Sequence, residues 1–116
     1  MLSREDSVRL RPMLDAAIEA TVFAEGKDRA SLDSERLLAL ALLKLIEIVG
    51  EAARNVSDQV RQSSPQIPWR QIIGTRDRLA HGYFDVDLDI IWAIVTNDLP
   101  PMIVELKNLT ASRETR

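Results

Sequence analysis

Hydrophobic residues recur at intervals of three and four along most of the chain, which is the spacing that places them on one face of an α-helix. Leu10, Leu14 and Ile18 form such a stripe in a first helix. This helix should end near Gly26, where a helix stop is expected, and Pro12 should bend it or mark a late start. Only one short segment near residue 86 alternates as a strand does. The pattern therefore predicts a helical protein.

A second helix is predicted from about Asp33 to beyond Val56, with N-cap candidates between Ser31 and Ser34. It is apolar over an unusually wide arc, so it should be central in its own bundle or shared with a second subunit. A narrow polar stripe follows its remaining face at spacings of 3, 4, 3 and 4, formed by Lys44, Glu47, Glu51, Arg54 and Asp58. This polar stripe is either solvated or lines a cleft.

A third helix is predicted from Trp69 to about His81, after a polar break that spans residues 63–68. Pro68 suits the start of this helix because its missing N–H has no partner to lose there. Gly82 should end it.

The last helix should run from about Asp87 to Asn108, with a kink at Pro100 and Pro101. Three aspartates alternate at its start, Asp85, Asp87 and Asp89. They suit the positive N-terminal end of a helix. A calcium loop of the EF-hand type is a poorer interpretation, because the glycine and the glutamate that such a loop requires are missing.

Composition limits the class of protein. The chain has 116 residues, of which 46% are hydrophobic and 28% charged, and this is typical of one globular domain. It has no cysteine, which excludes disulfides, thiolate metal sites and a cysteine nucleophile. The longest apolar run, residues 37–43, is far shorter than a membrane span, and the N-terminus lacks the apolar segment of a signal peptide. We expect one domain over residues 1–116, in the cytoplasm and without a membrane partner.

Charge is unevenly distributed. The net charge of −3 argues against a protein that binds nucleic acid by coating its phosphates. Between Arg54 and Arg78, however, five arginines and two aspartates give a local charge of +3. A site for a polyanion belongs in this segment, although arginines scattered on solvated helix faces would give the same count.

The chain has a single histidine, His81, which follows Arg76 by five residues. Histidine can take and give a proton near neutral pH, and arginine presents a planar charged fork to phosphate oxygens. The two residues are roughly 140° and about 7.5 Å apart on an ideal helix, so both could reach one phosphate that lies across the helix end. Asp77 could orient the imidazole, and Tyr83 could add a phenol. The spacing alone is common, so the residues by themselves favour a structural role for His81 over a catalytic one.

From about Glu47 to Leu109 the sequence resembles the HEPN superfamily, in the branch of HepT-like proteins that serve as ribonuclease toxins of two-gene toxin–antitoxin modules. The first 45 residues match only in helical character. The segments that carry the resemblance keep the family's order and spacing: GEAARNV (50–56), IPWRQIIG (67–74), RDRLAHGYFDVD (76–87), Trp92 and LPP (99–101).

The resemblance implies an all-α, up-and-down bundle of four to five helices that forms a homodimer. It also implies metal-independent RNA cleavage, without a cofactor, in a composite cleft that both copies of the R-x4-H motif face. By motif position, Arg76 and His81 become the catalytic pair. His81 would assist attack of an RNA 2′-hydroxyl on the adjacent phosphate, and Arg76 would stabilise the phosphorane, leaving a cyclic phosphate and a 5′-hydroxyl.

Three further residues receive supporting roles. Asp77 occupies the polar place after the arginine, which is often asparagine in the family, and puts a charge beside the imidazole. Glu51 is a weaker candidate for orienting the site. Tyr83 occupies the position of the tyrosine that a partner nucleotidyltransferase antitoxin can modify with AMP. The added bulk and negative charge would repel the RNA phosphate.

An alternative is a helical binding module that docks a nucleotidyltransferase and has no activity of its own. The intact set of Arg76, His81 and Tyr83 argues against it, because a scaffold has no chemical need for all three. A metal enzyme is the least favoured interpretation, since one histidine with scattered carboxylates is a poor ligand set for zinc.

Overall fold

The structure, a computed structural model, describes residues 4–81 and 87–114. Within these ranges it contains helices and no strand, which confirms the all-α prediction. A π-helical segment, Ile94–Asp98, joins the last two helices. The helices are α1 (Arg4–Ala24), α2 (Ser31–Ser34), α3 (Arg36–Arg54), α4 (Asp58–Ser63), α5 (Trp69–His81), α6 (Leu88–Ala93) and α7 (Leu99–Glu114).

The first helix ends where the sequence predicts but does not begin late. α1 starts at Arg4, so Pro12 lies inside it. The missing N–H of this proline leaves the carbonyl of Val8 without its helical bond, and Val8 is exposed, so water can reach that turn. After α1 the chain turns at Gly26, whose φ of 72° is one that glycine adopts without strain.

The predicted second helix is wrong at both ends, because the chain divides it into α2, α3 and α4. Glu35, with φ −117° and ψ 87°, separates α2 from α3. After α3, Val56 turns into the core, and Ser57 caps α4 by accepting a hydrogen bond from the N–H of Val60 at 3.4 Å. The Ser57 hydroxyl also donates to Asp6 of α1 at 3.1 Å. The burial of Val56 and the cap at Ser57 together stabilise this break more than continuing the helix would.

α3 is the central helix of the bundle. It packs against α1 along one side and against α5 along another. Its buried face carries Leu42, Ile46 and Val49. The outer face of its first two turns remains apolar, with Leu37 83% and Leu40 45% exposed. Most of the wide apolar arc therefore faces the core, and one strip of it is exposed to solvent.

The prediction for α5 is confirmed. Its first residue, Trp69, is buried and donates its indole N–H to the carbonyl of Ser64 at 3.0 Å, so the break before the helix is fixed to the core. His81 is its last residue. Gly82, the predicted helix stop, lies outside the described residues.

The last helix begins as predicted and extends further. Asp87 caps α6 by accepting from the N–H of Asp89 at 2.8 Å, whereas Asp85 lies outside the described residues. Instead of ending at Asn108, the helix continues through α7. The kink at Pro100 and Pro101 stays a prediction, and the structure has the π-helical segment Ile94–Asp98 one residue before these prolines. We attribute it to their missing N–H groups and to crowding of the carbonyls four residues earlier.

The start of α6 is tied to the turn between α1 and α2. Arg29 donates to Asp89 at 2.5 Å and to Asp33 at 3.1 Å. The hydrogen bond with Asp89, together with that to Asp33, raises the pKa of the Arg29 guanidinium. Among the described helices, none combines the length and the hydropathy that crossing a membrane requires.

Candidate functional site

The site begins at a close crossing of α3 and α5. A Cβ added to Gly50 of α3 would lie 2.3 Å from the Cβ of Arg76 and 3.0 Å from the carbonyl oxygen of Ile72. Side-chain carbons do not approach to 2.3 Å, so only glycine permits this crossing. Gly50 thereby sets how near Arg76 comes to α3.

Two carboxylates hold the Arg76 guanidinium, one from each helix. Nη2 of Arg76 lies 2.9 Å from Oε2 of Glu51, which follows Gly50 on α3. Nη1 donates to Oδ1 of the neighbouring Asp77 at 3.3 Å. The side chain of Arg76 is 27% exposed, so it is mostly covered but still reaches the surface. The planar fork is therefore oriented before any ligand arrives.

A second arginine completes the group. Arg54, three residues beyond Glu51 on α3, donates from Nη2 to Oδ1 of Asp77, the oxygen that also accepts from Arg76. We call Glu51, Arg54, Arg76 and Asp77 the charge cluster. Its formal charges cancel. Ion pairs this exposed contribute only about 0–1 kcal/mol each to stability, so the charge cluster positions side chains more than it stabilises the fold.

The polar stripe of the predicted second helix serves two purposes. Its later residues, Glu51 and Arg54, meet α5 in the charge cluster. Its earlier residue Lys44 is exposed and lies 3.9 Å from Glu47, as in a solvated face. Asp58 leaves the stripe because it begins α4, where it pairs with Arg61 at 2.8 Å.

The remaining predicted site residues are only partly described. His81 ends α5, so the five-residue spacing from Arg76 lies within one helix, but its side chain is outside the described part of the chain. Tyr83 lies outside the described residues. The predicted contact between Asp77 and the imidazole thus stays a prediction, and Asp77 engages the two arginines of the charge cluster.

Sequence reasoning missed two residues of the site. Arg54 was counted for its charge and its place on the polar stripe, and no signal in the sequence connects it to Asp77. Gly50 could have been found, because glycine inside a helix costs about 1 kcal/mol of stability relative to alanine. A glycine at such a position indicates a close contact that a larger residue would prevent. Among the side chains that the structure describes, no three His, Cys, Asp or Glu residues form a group that could hold a metal ion.

Comparison with known proteins gives the class. The model of the family described as Ribonuclease HepT-like matches residues 13–109, and the chain belongs to this family. The match confirms the resemblance and extends it into α1, where the sequence had indicated helical character alone. Membership in this family supports a ribonuclease role.

Individual relatives agree with the family. A protein of Methanocaldococcus jannaschii named "Putative RNase MJ1380" is 29% identical over 107 residues, which cover 92% of this chain and 98% of that protein. A protein of Thermococcus cleftensis named "Probable ribonuclease HepT" is 39% identical over 62 residues, which cover 53% of this chain and 56% of that protein. No solved structure matches the chain.

Proposed function

We propose that this protein is a metal-independent endoribonuclease, that it acts as the toxin of a toxin–antitoxin pair, and that Arg76 and His81 are its catalytic residues. Membership in the Ribonuclease HepT-like family supports the general activity. One observation carries the assignment of the site. The Arg76 fork is held at the α3–α5 crossing by Glu51 and Asp77, on the helix that ends with the only histidine of the chain.

The chemistry needs a proton acceptor, a proton donor and a cation. His81 takes the proton of the RNA 2′-hydroxyl as the 2′-oxygen attacks the adjacent phosphorus, and the bond from phosphorus to the 5′-oxygen breaks. Arg76 stabilises the negative charge on the phosphorane. General acid–base assistance of this kind contributes about 10²- to 10⁴-fold to the rate. The products are a 2′,3′-cyclic phosphate and a 5′-hydroxyl.

The RNA phosphate must replace a carboxylate on Arg76. The present pairs are partly exposed and weak, whereas a bidentate arginine–phosphate contact is a strong, charge-assisted one. Glu51 and Asp77 therefore keep the fork aimed until the phosphate arrives.

A homodimer supplies the second proton-transfer group. The leaving 5′-oxygen needs a proton while His81 has just accepted one, and each chain has a single histidine. Two chains that face one cleft bring two histidines. The exposed Leu37 and Leu40 on the outer face of α3 support association, because neighbouring exposed hydrophobic side chains are typical of interfaces.

Tyr83, two residues after His81, is the residue through which the cleavage activity is controlled. A partner nucleotidyltransferase that attaches AMP to its phenol would place a phosphate diester and an adenosine beside the proposed catalytic pair. The negative charge and the bulk both oppose entry of RNA.

A second candidate function is a binding module that docks a nucleotidyltransferase without cutting RNA. The observation in its favour is the charge cluster itself. Arg76 is already paired with two carboxylates, and the four side chains carry no net charge, as in a structural network.

The deciding experiment compares wild type with His81→Ala. Both proteins are first shown by light scattering to have the same oligomeric state and are then incubated with labelled RNA in excess EDTA. The proposed function requires wild-type cleavage to a cyclic phosphate and loss of cleavage in the variant. Equal cutting by both proteins would reject this role for His81, whereas cutting by neither would reject the nuclease and favour the binding module.

A further inference from the structure

The side of α5 that faces away from α3 has an unusual composition. Ile72 and Thr75 are buried toward the bundle, whereas Arg70, Gly74 and Arg78 are exposed. These three follow one another at intervals of four residues, so they form a single row along the helix. We call Arg70, Gly74 and Arg78 the outer row.

Nothing within the described chain explains the glycine of the outer row. A Cβ added to Gly74 would meet no atom within 4 Å. Glycine inside a helix is destabilising relative to alanine, and alanine would fit here without any adjustment. What glycine uniquely allows is the close approach of another backbone or a ligand to the helix surface.

The charges beside Gly74 indicate what approaches. Arg70 and Arg78 lie one turn before and one turn after it, and no described residue forms an ion pair with either side chain. Asp77, the acidic residue on the same helix, is engaged by Arg54 and Arg76. An exposed strip of helix whose two guanidinium groups pair with no described carboxylate is complementary to a polyanion.

The outer row also leads to the proposed site. Position 81 follows position 74 by seven residues, which returns to within about 20° of the same direction around an α-helix and rises about 10.5 Å along it. The row therefore ends at His81, the last residue of α5.

We propose that the outer row is a track for single-stranded RNA, in which the sugar–phosphate backbone crosses α5 at Gly74 with phosphates at Arg70 and Arg78. The track rests on the proposed function and extends it by assigning residues that bind the strand without touching the reacting phosphate. A second copy of the chain fits this face less well. Two α5 helices packed antiparallel about Gly74 would set Arg70 of one copy against Arg78 of the other, and like charges oppose such contact.

The test measures binding separately from cleavage. The probe is a short, mixed-sequence RNA with 2′-O-methyl groups, which cannot be cut by 2′-hydroxyl attack, and its affinity is measured at several salt concentrations. Arg70→Gln and Arg78→Gln should each weaken binding several-fold and make the negative slope of log K against log[salt] shallower by about 0.7, the value for one phosphate contact on a single strand. Gly74→Gln should weaken binding at least as much, because its side chain occupies the crossing point.

Two control variants match these changes elsewhere. Arg36→Gln removes the same charge from an exposed arginine at the start of α3, and Ala111→Gln adds the same side chain to an exposed position of α7. Both should bind the probe as wild type does. Melting curves confirm that each variant is folded.

The outcomes separate the track from the proposed cleavage. Wild-type binding that the outer-row variants weaken supports the track, whether or not unmodified RNA is cut. Cleavage by a wild type whose outer-row variants bind the probe normally overturns the track and leaves the proposed function standing. A change of oligomeric state in Gly74→Gln with unchanged probe binding by the arginine variants assigns this face to a second copy and also overturns it. A wild type that neither binds nor cuts RNA rejects both proposals.

Discussion

Two helical glycines of this protein, Gly50 and Gly74, stand in opposite surroundings. At Gly50 there is no room for a Cβ, because Arg76 and the backbone of α5 occupy its place. At Gly74 there is open space on the outside of α5. The first glycine is thus required by the packing of the chain itself, whereas no described residue requires the second.

The contrast distinguishes an inner and an outer face of α5. Its inner face meets α3 at Gly50 and holds Arg76 against Glu51. Its outer face carries the exposed Arg70 and Arg78. We therefore expect substitutions on the two faces to differ in what they change: stability and turnover on the inner face, strand binding on the outer face.

The largest expected difference between the two faces is in the rate of RNA cleavage, when one arginine of each face is changed to lysine. Arg76→Lys keeps the charge but removes the planar fork, and loss of such an oriented donor should lower the rate of RNA cleavage by roughly 10²-fold. Arg70→Lys, its counterpart on the outer face, should cut at close to the wild-type rate because a phosphate contact accepts either cation. The measurement is single-turnover cleavage of a labelled RNA in EDTA. Equal losses in the two variants would remove the distinction between the faces.

The next effect is on folding, at the crossing. Gly50→Ala places a methyl group where the Arg76 side chain begins, and overpacking of this kind costs about 1–3 kcal/mol. The urea midpoint should fall accordingly. Cleavage should fall as well, because α5 has to move away from Glu51. A variant as stable and as active as wild type would show that the helices do not cross as closely as described.

Gly74→Ala should change the free energy of unfolding in the opposite direction. Alanine has room and a higher helix propensity, so the free energy of unfolding should rise by about 0.5–1 kcal/mol and the melting temperature by a few degrees. Paired with Gly50→Ala in the same thermal and urea series, it tests the comparison directly. Destabilisation by Gly74→Ala would mean that part of the chain does pack on this face.

The smallest expected effect is on the stability of the charge cluster. Arg54→Gln breaks the pair with Asp77, and since both side chains are about half exposed, the free energy of unfolding should change by less than about 1 kcal/mol. A loss well beyond that value, measured by urea unfolding, would show that the charge cluster is a structural network, as the binding-module interpretation requires.

Local sequence determined much of the helical framework. The stripe of α1, its stop at Gly26, the start of α5 at Pro68 and Trp69, and the cap at Asp87 depend on residues a few positions apart, which a linear pattern records. The motif from Arg76 to His81 was visible for the same reason. The second helix was misjudged because its break depends on Ser57 meeting Asp6, a contact between residues far apart in the chain.

The site, in contrast, was decided by tertiary structure. Glu51 and Arg54 lie on one helix, and Arg76 and Asp77 on another, more than twenty residues later. Their pairing follows from the distance at which α3 and α5 cross, and Gly50 sets that distance. The sequence by itself therefore determined which helices form and which of them carries the arginine and the histidine. Only the packing of those helices decided that Glu51 of α3 holds Arg76 of α5, because that contact depends on interhelical distance, which no periodicity encodes.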